Sequence, residues 1–196
     1  MLKLMHKDPV CLPIFNFKTG KREWQKTETV LEDEQILIIE GIHGLNPATS
    51  MYIPQDAKYK IYINALTHMN LDAHNRIPTS DYRLIRRLAR DHQTRGWDAK
   101  ATMSFWKNVR DNEDRYIYPF QEETNVIFNT SMVYELSILK KIVIPLLDEV
   151  PKSDPAYLEA NRLKKLLDYF VDGDERAVPN SSILAEFLGN SVFDVS

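Results

Sequence analysis

The run QILIIE, Gln35 to Glu40, constrains the fold of this chain more than any other segment. Ile36 to Ile39 are four consecutive apolar residues, so a strand there has no polar face and needs cover on both sides. That pattern predicts a strand of a parallel sheet flanked by helices. It ends in an acid, Glu40, and the loop GIHGLNP follows at once. Two further strands are predicted, YKIYINA (Tyr59 to Ala65) and the shorter NVIFNTS (Asn125 to Ser131). Two helices lie between them. One is DYRLIRRLARDHQ, Asp81 to Gln93, with Thr79 and Ser80 as candidate N-caps; the other covers Ala99 to Asn112. Strands alternating with helices predict an α/β domain with right-handed crossovers.

Upstream, Pro13 to Gln25 alternates aromatic and polar residues around a Thr-Gly turn, which reads as a strand and hairpin-like loop with KTETV as the returning strand. Downstream of Ser131, MVYELSILKKIVIPLLDEV and DPAYLEANRLKKLLDYF have helical apolar spacing, with Pro151 and Pro155 punctuating the gap. NSSILAEFLGN reads as a short helix stopped at Gly189. The expected organisation is therefore an α/β domain over 1–131 and a helical C-terminal extension over 132–196 packed on it.

Composition excludes more than it selects. With 43% hydrophobic and 27% charged residues the chain is not wholly disordered, and a formal charge of −3 argues against a surface that coats nucleic acid. One cysteine, Cys11, rules out an internal disulfide and a multi-cysteine metal site. The N-terminus carries charges too early for a signal peptide, and no apolar run approaches a membrane span. A soluble cytoplasmic protein is the expectation.

Two stretches carry candidate chemistry. Glu40 stands where a parallel strand emerges into a loop, the place where ligands bind in open α/β sheets. A carboxylate there holds Mg²⁺ beside a polyphosphate, or is simply a solvated strand terminus or an N-cap partner for the next element. In the Arg-rich helix, Leu84, Ile85, Leu88 and Ala89 share one face and Arg83, Arg86, Arg87 and Arg90 the other, with Arg95 just beyond. Only Asp91 stands at the margin of that face, and guanidinium groups without partners repel unless an anion joins them. Phosphate binding is the favoured reading over a solvated face, and an RNA backbone would use the same physics. Phe15, Phe17, Tyr116, Tyr118 and Phe120 are placed either to stack on a base or, the commoner fate, to pack in a core. The histidines show no metal-ligand spacing; His43, in the loop after Glu40, is a candidate substrate contact.

LPIFNFKTGKR, ILIIEGIHGLNP and RLIRRLARDHQTRG occur in the order found in the uridine kinase and phosphoribulokinase family of P-loop kinases, which the chain resembles over nearly its whole length. NLDAHNRIPTSDYRLIRRLARD and VPNSSILAEFLG bring the resemblance closest to bacterial uridine-kinase-like proteins that carry this domain behind a threonyl-tRNA-synthetase-like region. The resemblance implies ATP-dependent phosphoryl transfer to a nucleoside 5′-hydroxyl, with ATP and Mg²⁺ bound. Glu40 matches an acid implicated in Mg²⁺ binding. Arg87, Arg90 and Arg95 match lid arginines that close on phosphates and acceptor. Phe15, Phe17 and Arg22 match positions that line the acceptor pocket, beside the candidate substrate contact His43. The chain departs from the pattern where Phe15-Asn16-Phe17 replaces Tyr-Asp-Phe, where Gly20 stands in place of a uridine-contacting His, and near Phe105, in place of a nucleoside-contacting Gln.

The family's phosphate cradle, GxxxxGK[ST], does not occur in the sequence: no pair among Gly20, Gly41, Gly44, Gly96, Gly173 and Gly189 is followed by Lys-Ser or Lys-Thr at that spacing. The resemblance thus implies a P-loop-kinase-like, mainly parallel sheet lacking its first strand and phosphate loop. It also implies little activity from the chain alone. The missing segment would come from the same protein or a partner chain, and the gap it leaves invites a homo-oligomer. The alternative is a non-catalytic module that binds nucleotide or RNA, or assembles with a synthetase-like partner.

Overall fold

The computed structural model describes residues 1–16 and 21–193 of the 196-residue chain. They form two compact units, one comprising residues 1–61 and 115–126 and the other residues 62–114 and 127–196.

The first unit begins with a single helical turn, α1 (Leu2–Met5). A hairpin of β1 (Val10–Asn16) and β2 (Lys21–Thr29) follows. The strands are antiparallel, with Val10 opposite Thr29 and Phe15 opposite Arg22. Their register slips between Cys11 and Pro13. A proline cannot donate to a ladder, and a bulge is where a strand accommodates one. The hairpin agrees with the sequence reading, but the returning strand starts at Lys21 rather than at KTETV.

QILIIE is not a strand. Gln35 to Glu40 has no regular structure, and Ile36 and Ile38 are 87% and 86% exposed. The expected cover on both faces is missing, and no described strand pairs with its backbone. An apolar run becomes a strand only when a neighbour satisfies its N–H and C=O groups, and composition alone cannot supply that neighbour.

The other two predicted strands are present in shortened form, β3 (Ile61–Asn64) and β4 (Val126–Asn129). The amides of Asn125 and Val126 donate to the Lys60 carbonyl, and four residues on the Thr130 amide donates to the Asn64 carbonyl, so the pair runs parallel. Among the described residues the expected mainly parallel sheet is therefore one parallel pair and one separate antiparallel hairpin.

The second unit holds nearly all of the core. α2 (Thr79–Arg90) buries Tyr82, Leu84, Ile85, Leu88 and Ala89, at the i, i+3, i+4 spacing that lines one helix face. α3 (Ala99–Tyr116) follows. α4 (Glu135–Asp148) contributes Leu136, Leu139, Val143 and Leu147, and α5 (Tyr157–Leu167) contributes Ala160, Leu163 and Leu167. α6 (Ala185–Leu188) adds Phe187, and its chain turns away at Gly189 with φ 75°, the left-handed stop that the sequence predicts. Asp81, buried on α2, takes both terminal nitrogens of Arg162 on α5 at 2.6 and 2.8 Å, fixing the two helices in register.

Both ends of α2 differ from expectation. Thr79 and Ser80 are not caps, because the helix starts at Thr79 behind Pro78 and makes no side-chain cap. The α-helical turns stop at Arg90, and Asp91–Arg95 forms a wider π turn closed by Gly96 at φ 63°. Among the described residues no helix is long and apolar enough to cross a membrane.

Candidate functional site

The arginines of α2 do not stand without partners, and this corrects the sequence reading. Arg83 makes a paired contact with Glu113 on α3. Arg86 donates from Nε and Nη2 to the two carboxylate oxygens of Glu135, and also reaches the Thr130 hydroxyl and carbonyl at 3.0 and 2.7 Å. Its guanidinium lies 5.3 Å from the Tyr82 ring and 5.5 Å from the Phe187 ring. Burial works to lower the Arg86 pKa, but the Glu135 hydrogen bonds and charge outweigh it and raise the value above the usual one. Arg86 is thereby fully committed to the core.

Arg87, Arg90 and Arg95 are held differently. Arg87 Nε donates to Asp91 Oδ2 at 2.6 Å, and Arg95 Nη1 donates to Asp91 Oδ1 at 2.6 Å. Arg90 Nε donates to Glu186 Oε1 at 2.6 Å and lies 5.1 Å from the Phe187 ring. Among the described residues each of the three is tied through a single nitrogen, and the other guanidinium donors make no hydrogen bond. The side chains are 23%, 39% and 38% exposed, so those donors can meet a ligand. Around Asp91 two guanidinium groups face one carboxylate, which leaves one positive charge unbalanced. Such a cluster accepts an anion with charge-assisted hydrogen bonds.

Asp91 itself is fully buried and also accepts from the Thr102 hydroxyl of α3 at 3.2 Å. Its backbone carbonyl accepts the Gly96 amide, which closes the wide turn, and the Trp97 amide at 3.2 Å. Sequence reasoning placed Asp91 only at the margin of the arginine face, although its spacing of four residues from both Arg87 and Arg95 is the signal for such pairing. Glu186, Glu135 and Glu113 were missed as partners, because they lie 96, 49 and 30 residues from the arginines they hold.

Glu40, His43, Phe15 and Arg22 belong to the other unit. Phe15 and Arg22 are opposite each other in the backbone register of the hairpin. The Arg22 guanidinium lies 5.2 Å from the centre of the Trp24 ring. Phe17, like Gly20, lies outside the described residues. The His43 ring meets Tyr116 edge-on with centroids 5.7 Å apart. Glu40 is exposed beside a turn in which the Gly44 amide donates to the Gly41 carbonyl at 2.9 Å. One accessible carboxylate fits the donor set of Mg²⁺, which takes one or two carboxylates and completes its shell with phosphate oxygens and water. Among the described residues no group of three or more His, Cys, Asp or Glu side chains is arranged to hold an ion. Any Mg²⁺ at Glu40 would therefore draw its remaining ligands from substrate and solvent.

Residues 1–137 match the family described as Phosphoribulokinase / Uridine kinase family. No curated protein and no solved structure matches the chain.

Proposed function

The chain belongs to the phosphoribulokinase/uridine kinase family, and from that premise we propose that it supplies the arginine lid of an ATP-dependent nucleoside phosphotransferase. The observation that carries this reading is the one-nitrogen tethering of Arg87, Arg90 and Arg95, which leaves an unbalanced charge and accessible donors at the end of α2. The polyphosphate of ATP is the ligand that such donors suit, and phosphoryl transfer depends chiefly on positioning and charge neutralisation. In this reading Glu40 is the candidate Mg²⁺ ligand, and Phe15, Phe17, Arg22 and His43 are the candidate contacts to the nucleoside. The Mg²⁺, when bound, would neutralise phosphate charge; the residues of the chain bind and orient.

The 196 residues contain no GxxxxGK[ST], so efficient turnover needs a phosphate loop that they do not supply. The test is ATP consumption with uridine or cytidine and Mg²⁺, measured for this chain and for a fusion carrying a strand–phosphate loop–helix segment ahead of Met1. The chain alone should give no turnover above background, and the fusion should give nucleoside-dependent turnover. A rate of about 1 per second from the chain alone, typical of kinases, would overturn this division of labour. A folded fusion that binds ATP but never transfers phosphate to any nucleoside would overturn the phosphotransferase reading.

A further inference from the structure

We propose, resting on the polyphosphate reading above, that Asp91 is a positioning residue that holds Arg87 and Arg95 side by side for the ligand. It does this from beneath, without touching the ligand itself.

The argument begins with helix geometry. Four residues of α-helix turn through about 400°, so a residue four positions away overshoots a full circle by about 40°. In an uninterrupted helix Arg87 and Arg95 would therefore lie on opposite sides of Asp91. The helix is interrupted at this point, because Asp91–Arg95 is a π turn. Its i→i+5 closure takes more than four residues per circuit, so Arg95 falls short of a full turn where an α-helix would overshoot. The widened turn thus moves Arg95 to the same side of Asp91 as Arg87. The hydrogen bonds agree, with one arginine on each carboxylate oxygen, both at 2.6 Å.

Burial and two hydrogen bonds fix the carboxylate and its backbone. The side chain is wholly buried, the Thr102 hydroxyl donates to Oδ2, and the Trp97 amide caps the Asp91 carbonyl. Gly96, at φ 63°, provides the left-handed residue that ends the turn without strain. Two guanidinium groups brought together this closely repel, and one buried carboxylate shared between them removes that repulsion and sets their spacing. Each uses a single nitrogen on Asp91, and among the described residues its remaining donors make no hydrogen bond. The residue that opens this terminal turn anchors both candidate ligand-binding side chains.

The test is the sign of an affinity change. Asp91→Asn keeps the shape of the side chain but removes a negative charge from beneath an anion site. Coulomb's law alone predicts that the variant binds an anion more tightly. Positioning predicts the reverse. Inorganic tripolyphosphate, titrated calorimetrically into the full 196-residue chain, should bind the variant about tenfold more weakly, while its circular dichroism stays at wild type. Unchanged or tighter binding by a folded Asp91→Asn protein overturns the proposal.

A second measurement needs no variant. The Arg87 Nε–H resonance of the wild-type protein should remain protected from exchange when tripolyphosphate saturates the site, because Nε stays on Asp91 while the ligand takes the other donors. Loss of that protection on binding overturns the proposal even if Asp91→Asn does not fold. The two readings fail separately. If wild type binds tripolyphosphate and Arg87→Ala weakens it, but Asp91→Asn does not, positioning alone falls. If wild type shows no saturable binding, the polyphosphate reading falls and takes positioning with it.

Discussion

Replacing Glu135 by leucine should be the most damaging single change in the helical unit. Its carboxylate is fully buried and accepts two hydrogen bonds from Arg86, whose side chain is 12% exposed. It also accepts the Tyr82 hydroxyl at 2.5 Å. In Glu135→Leu the tyrosine loses little, since its hydroxyl can turn to the Met132 carbonyl at 3.2 Å. Arg86 loses more. It keeps Thr130 but becomes a buried cation without a counter-charge. Breaking a buried pair by removing one partner costs about 3–5 kcal/mol, a large share of the roughly 5–15 kcal/mol that holds a domain folded. Urea unfolding followed by circular dichroism should show the midpoint falling at unchanged slope. Replacing both partners, Arg86→Met with Glu135→Leu, should recover most of the loss, because an apolar pair of similar volume removes the desolvation penalty as well as the attraction. A single-variant loss below about 1 kcal/mol, the range of exposed pairs, would refute the claim that this pair is a buried structural element.

Burial, followed by the neighbouring Glu135 charge and its hydrogen bond, raises the Tyr82 pKa well above its ordinary value of 10.0. The folded-state value lies above the unfolded one, so this contribution to stability is complete below pH 10 and is lost as pH rises beyond it. Ultraviolet titration of the nine tyrosines should therefore show one that ionises only as the helical unit unfolds, absent in Tyr82→Phe; a Tyr82 that titrates at its ordinary value in the folded protein would contradict the burial argument. Gly189→Ala should lower the melting temperature, since the residue sits at φ 75° and a Cβ there would lie 2.7 Å from Gln93 Oε1; the left-handed strain alone is about 1–2 kcal/mol. An unchanged melting temperature would mean that the end of α6 is free to rearrange.

How far the sequence discloses this molecule depends on how local the deciding interactions are. α2 to α5 follow from apolar spacing and the stop at Gly189 from its left-handed conformation, both of which act over one or two helical turns. The hairpin is legible for the same reason, because Phe15 and Arg22 stand only seven positions apart in the chain and meet by register. QILIIE misleads because a strand is defined by its neighbour, and the pattern Ile-Leu-Ile-Ile states only that the run is apolar. The arginine face misleads in the opposite direction. Its charges look unmatched within α2, yet Glu113, Glu135 and Glu186 reach them from distant segments, and no periodicity in α2 reports such partners. The Asp91 pairing was legible, since both arginines lie four residues away. The widening of the helix that makes the pairing two-sided was not, because nothing in DHQTRG distinguishes a π turn from another α turn.

Titration of MgATP into the chain at low salt bears most directly on the claim that the end of α2 is a polyphosphate site. The comparison is wild type against the double variant Arg87→Ala, Arg90→Ala, with the fold of each checked by thermal melting. Each charged hydrogen bond contributes about 1.5–3 kcal/mol, so loss of both arginines should weaken binding by at least about a hundredfold. Saturable wild-type binding and that loss in a folded variant are the predicted result. Equal affinities in two folded proteins would show that these arginines form a solvated face and hold no phosphate.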